Sequence, residues 1–132
     1  MLDQRARALC GVRPGDSRTC PGSRAYHLAA ELARGPTEAF LESTEFAHIH
    51  PAYDGSIHLR LPPDEDDAAC GSGWAVRVPL AGLLLFGPRD EQETDTVWQL
   101  LALAYDFACR GHAAASSTGK LRTKLRTSPW SE

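Results

Sequence analysis

The strongest constraint on this chain is a pair of alternating segments. Glu45-Phe46-Ala47-His48-Ile49-His50 and Ser56-Ile57-His58-Leu59-Arg60-Leu61 flank the short stretch Pro51-Ala52-Tyr53-Asp54-Gly55. Apolar and polar residues that alternate with period two read as half-buried strands. A five-residue connection with Pro, Asp and Gly joins them as a β-hairpin. If Ala47, Ile49, Ile57, Leu59 and Leu61 face a core, then Phe46, His48, His50, Ser56, His58 and Arg60 face away from it. A slip of one residue would turn one strand's apolar set to solvent, so the register is set by burial. The natural pairing puts His50 opposite Ser56, His48 opposite His58 and Phe46 opposite Arg60, with Asp54 at the rim.

Three of the five histidines thereby share one patch. Three readings of it stay open. Imidazole is a common ligand of zinc, iron and copper, and two histidines at i and i+2 with a cross-strand third can reach one ion. A divalent metal on His48, His50 and His58 is one reading. Without a metal, neighbouring imidazoles supply a proton donor and acceptor near neutrality, and Arg60 suits an oxyanion. The third reading is a solvated polar face with no chemistry.

The rest of the chain supplies a cover for the apolar face. Residues 2–10 favour a short helix, with Gly11 placed to end it. Residues 12–23 carry Pro14, Gly15, Pro21 and Gly22 and read as loop. Further strands are expected at Arg24–Leu28, around Ala39–Glu42, at Trp74–Val78 and at Leu83–Phe86. Pro62-Pro63 and the acidic run Asp64–Asp67 read as a break, and Cys70 as a loop cysteine. From Asp90 to Arg110, Val97, Leu100, Leu101, Ala104, Tyr105 and Ala108 recur at spacings of three and four, as in an amphipathic helix. The expected architecture is therefore α+β: an antiparallel sheet of about five to six strands, with one face under a long C-terminal helix and a short N-terminal helix beside it. A single domain over 1–111 with a basic, mobile tail over 112–132 suits a length of 132 residues.

Charge and cysteine usage narrow the function classes. Residues 1–111 hold sixteen acids and ten bases, which does not suit a phosphate backbone, so no nucleic-acid partner is expected. No apolar run is long enough to span a membrane, and no export leader follows Met1, so a cytoplasmic location is expected. The cysteines at 10, 20, 70 and 109 form no C-x-x-C pair and read as reduced thiols, with Cys10 and Cys109 packing on helices.

Several motifs resemble a small family common in actinobacteria and labelled luciferase domain or luciferase-like. They are Phe46-Ala47-His48-Ile49-His50-Pro51, Asp54-Gly55-Ser56-Ile57-His58-Leu59, Gly73-Trp74, Pro79-Leu80-Ala81-Gly82, and Phe86-Gly87-Pro88-Arg89-Asp90 running on to Ala104-Tyr105-Asp106-Phe107-Ala108. The resemblance runs from about Ala8 to Gly111. It implies no flavin site. One departure stands out: where the family has histidine before a proline, this chain has Val78 before Pro79. A sheet with a C-terminal helix is also similar to the YjbR-like fold. The expectation is a small enzyme of isomerase, cyclase or lyase type, without an organic cofactor, suited to secondary metabolism. His48, His50, His58 and Arg60 would be catalytic, and Phe46, Tyr53, Asp54 and Ser56 would contact a small-molecule substrate. A ligand-binding or protein-interaction module is the alternative, and a homodimer would fit either.

Overall fold

Among the described residues, six antiparallel strands form one sheet in the order β1-β2-β3-β4-β6-β5. The computed structural model describes residues 2–51 and 55–110. The strands are β1 (Val12–Asp16), β2 (Arg24–Leu28), β3 (Glu45–Ile49), β4 (Ile57–Leu59), β5 (Ala75–Val78) and β6 (Gly82–Leu85). The helices are α1 (Leu2–Arg7), α2 (Pro63–Gly71) and α3 (Glu91–Arg110). This is the α+β architecture expected, with the long C-terminal helix and the short N-terminal one. No described helix is long and apolar enough to cross a membrane. The tail beyond residue 110 lies outside the described residues, as do Tyr53 and Asp54.

The central hairpin has the register that burial demands. His48 stands opposite His58, Ala47 opposite Leu59 and Ile49 opposite Ile57. The His50 amide donates to the Ser56 carbonyl at 2.9 Å and closes the hairpin end. Ile57, Leu59, Leu83 and Leu85 pair across β4 and β6 and share one core with Val97, Leu100, Leu101 and Ala104 of α3. Asp90 starts α3: its carboxylate accepts the Glu93 amide at 2.8 Å, and its carbonyl accepts the Thr94 amide at 2.9 Å. At the other end the Gly35 amide donates to the Ala108 carbonyl at 2.8 Å. Side chains fasten α1 to the same face. Tyr26 donates its hydroxyl to Asp3 at 2.6 Å, and Arg5 reaches Asp95 of α3 at 3.1 Å.

Five expectations are corrected. Residues 12–16 are a strand, β1, not loop. Pro14 is tolerated because β1 is an edge strand, whose outer backbone groups need no partner. Residues 63–71 are helix α2, not a break. Pro63 suits the first helical turn, where its missing N–H costs nothing, and Asp64, Glu65 and Asp66 favour the positive end of the dipole. Cys70 therefore ends a helix, where burial pushes its thiol pKa up. Cys10 is exposed rather than packed. The strand expected around Ala39–Glu42 is a short 3-10 turn, Thr37–Ala39, followed by one isolated bridge from Glu42 to Glu45.

One irregularity shapes the site. Along β2 and β3, Tyr26 pairs with Ala47 and the next residue, His27, pairs with Glu45. Phe46 is thus the extra residue of a β-bulge, which breaks the strict alternation of β3.

Candidate functional site

The bulge sorts the side chains of β3 in a way that alternation does not. Phe46 turns to the helix side, where it is fully buried, 6.5 Å from the Tyr26 ring and 5.8 Å from the Tyr105 ring of α3. Its expected place on the histidine face, opposite Arg60, is therefore corrected. Glu45 takes the opposite course. It lies beside His48, with Oε2 2.9 Å from Nδ1.

The Glu45 carboxylate is fully buried and well supplied with donors. Ser17 Oγ donates to Oε2 at 2.8 Å and the Arg18 amide donates to Oε1 at 2.8 Å. Both come from the β1–β2 loop, residues 17–23, which folds back over this part of β3. Burial alone would raise the pKa of Glu45. Hydrogen bonds from His48, the Arg18 amide and Ser17 outweigh it and hold the carboxyl below its ordinary value. An ionised carboxylate only accepts, so Nδ1 of His48 carries the proton and Nε2 is the basic atom of the neutral ring. That Nε2 is buried and has no hydrogen-bond partner among the described residues.

His48, His50 and His58 stand together. Their ring centroids are 5.5 Å apart for His48–His50, 4.9 Å for His48–His58 and 5.0 Å for His50–His58. Each is held through Nδ1. Ser56 Oγ lies 2.8 Å from His50 Nδ1, and His58 Nδ1 donates to the Ala81 carbonyl at 3.3 Å. The three line a cavity of about 410 Å³ together with Thr19, Cys20 and the β5–β6 turn. Val78 lies in that wall, so the position at which the luciferase-like pattern carries histidine is at this site. A larger, more open groove of about 540 Å³ adjoins it, and among the described residues His50 is the single histidine that lines it.

The remaining site candidates fall as follows. Ser56 is at the site, against His50. Arg60 lies beside the cavity and not in its lining, with Nη2 donating to the Leu80 carbonyl at 3.3 Å. Sequence reasoning missed Glu45 and Cys20. Glu45 carried a signal: a charged residue on the face that alternation assigns to the core is a misfit that a bulge resolves. Cys20 carried none, because a loop that closes over a sheet has no period. Its Sγ and one nitrogen each from His48 and His50 all lie within 4.8 Å of one another.

Fold and site together define a small α+β protein with a histidine cluster braced by a buried carboxylate. Residues 43–104 match the family model described as Luciferase domain, which supports a luciferase-domain family for that segment. The luciferase of Armillaria mellea is 27% identical over 73 residues, covering 48% of this chain and 27% of the relative. The luciferase of Neonothopanus nambi is 29% identical over the same length, with the same coverage. The chain thus spans about a quarter of the length of these curated relatives. No solved structure matches it. The matched segment contains β3, β4 and the β5–β6 turn, and so Glu45, all three clustered histidines and Val78.

Proposed function

We propose that the cavity is the active site of a small enzyme that moves protons on a small organic molecule, by histidine acid/base chemistry and without an organic cofactor. The reaction type is isomerisation, cyclisation or elimination. The observation that carries this reading is the triangle of imidazoles, 4.9 to 5.5 Å between ring centres, beside a cavity of about 410 Å³.

The roles divide by exposure. His50 and His58 are half-buried and line the cavity, so they touch substrate. Ala81 holds the His58 proton on Nδ1, which makes Nε2 of the neutral ring the basic atom and suits His58 to act as general base. His50, beside it and backed by the Ser56 hydroxyl, returns the proton as general acid. His48 is only 4% exposed, and with Glu45 it positions the other two rings and sets the local charge. The apolar wall of Leu41, Val78, Pro79 and Leu80 suits the hydrocarbon part of a substrate. A cluster of three imidazoles favours catalysis over a plain binding module, whose pocket needs no groups poised to exchange protons.

The fungal relatives named luciferase point to the first compound to try. The substrate of the Neonothopanus luciferase and close analogues are incubated with the purified chain, and light and substrate consumption are read separately. The reading expects consumption, or proton exchange with deuterated solvent, without a requirement for light. His58→Ala should abolish it, and His48→Ala should lower the rate more than it changes KM. Exchange that persists in the triple His48→Ala, His50→Ala, His58→Ala variant would overturn the proposal.

A further inference from the structure

The acid/base reading leaves one buried group unused. Nε2 of His48 is shut off from solvent and bonds to nothing among the described residues. A buried polar nitrogen without a partner costs about 1–3 kcal/mol, so a structure that keeps one has a use for it.

We infer that His48, His50 and Cys20 bind a divalent zinc-type ion. Three observations converge. The thiol comes from the β1–β2 loop and the two imidazoles from β3 and the residue just after it, and their donor atoms lie within 4.8 Å of one another. A tetrahedral ion with Zn–N of about 2.0–2.1 Å and Zn–S of about 2.3 Å sets its ligand atoms roughly 3.3–3.6 Å apart, so small side-chain rotations complete the site. The Glu45 carboxylate accepts the Nδ1 proton of His48, which fixes the tautomer and leaves Nε2 to the ion; a carboxylate behind the ring is the usual support for a metal-bound histidine. Ser23 Oγ donates to Cys20 Sγ at 3.2 Å and anchors the thiol from behind. Thiolate with imidazole selects zinc-type ions over the oxygen-seeking magnesium and calcium. Binding releases the thiol proton to solvent, and three protein ligands leave a fourth tetrahedral position for water or another ligand. Where the sequence pattern left a metal on His48, His50 and His58 as one open reading, this inference gives Cys20 the third place instead.

The inference goes beyond the acid/base reading: an ion on His50 withdraws that ring from the general-acid role, so the two readings are separated in one preparation, loaded and stripped. The full chain is stripped with chelator and titrated with Zn²⁺ by calorimetry and with Co²⁺ by absorption. One ion per chain is expected, with a thiolate-to-cobalt charge-transfer band. Cys20→Ser should abolish that band. His48→Gln should weaken Zn²⁺ binding by about tenfold or more. Cys70→Ser, at the end of α2, should change neither. A Co²⁺ spectrum of the unmutated chain without a thiolate band overturns the inference, whether or not the variants fold. So does Zn²⁺ affinity that survives both Cys20→Ser and His48→Gln. Proton exchange by the stripped protein tests the other reading: ion binding without exchange removes the acid/base proposal alone, and exchange without ion binding removes the metal site alone.

Discussion

Glu45 and His48 are three residues apart on one strand, yet their side chains meet at 2.9 Å on the same face of the sheet. The bulge at Phe46 makes this contact, and it has a consequence for acid stability. Burial pushes the Glu45 pKa up, but the hydrogen bonds to its carboxylate bring it below the ordinary value of 4.5. With the folded value lower than the unfolded one, the unfolded chain takes up the proton first as pH falls. The stabilisation is complete above 4.5 and is lost as pH drops through the folded value. Denaturant unfolding from pH 7 downward should show this loss. Glu45→Gln should be less stable at pH 7 and should lack that part of the acid dependence. An unchanged pH slope in the variant would mean that the carboxylate is not held ionised.

The three histidines should differ in structural cost. His48 is nearly sealed and bonded to a buried carboxylate, so His48→Ala should cost about 1–3 kcal/mol. His50 and His58 are half-buried, and their alanine variants should each lose less than about 1 kcal/mol. Urea midpoints of the three variants check this. Equal losses would show that the Glu45–His48 pair adds no stability of its own.

Leu101 is fully buried between α3 and the sheet. Leu101→Ala should destabilise by about 2–5 kcal/mol, through lost transfer energy and the cavity left behind. A loss under about 0.5 kcal/mol would place that helical face outside the core.

Gly35 lies so close to the end of α3 that a Cβ there would sit 2.1 Å from the Phe107 carbonyl oxygen and 2.7 Å from that of Ala108. Both obstacles are backbone, so neither side chain nor rotamer change relieves the clash. Gly35→Ala should break the hydrogen bond from the Gly35 amide to the Ala108 carbonyl and cost about 1–3 kcal/mol, read as a fall in Tm. Gly22 has open space around its Cβ position but a φ of +90°, so Gly22→Ala should show backbone strain and no clash.

Periodicity along the chain carries part of this structure. The β3–β4 hairpin, the pairing of His48 with His58 and the span of α3 all follow from apolar residues that must be buried together, and a shift of one residue would expose a whole set. It also brought His48, His50 and His58 to one side. Tertiary structure decided the remainder. The bulge that sends Phe46 to the core and Glu45 to the histidines arises from the pairing of β3 with β2, a partner twenty residues away that local pattern does not register. Pro14 and Pro63 read as breakers until their places, on a sheet edge and in a first helical turn, are known. Cys20 joins the site because the loop after β1 closes over β3, held by the bonds of Ser17 and Arg18 to one buried carboxylate. Side-chain alternation is local and leaves its mark residue by residue; the closing of a loop over a sheet is a contact between distant segments, and only the folded chain expresses it.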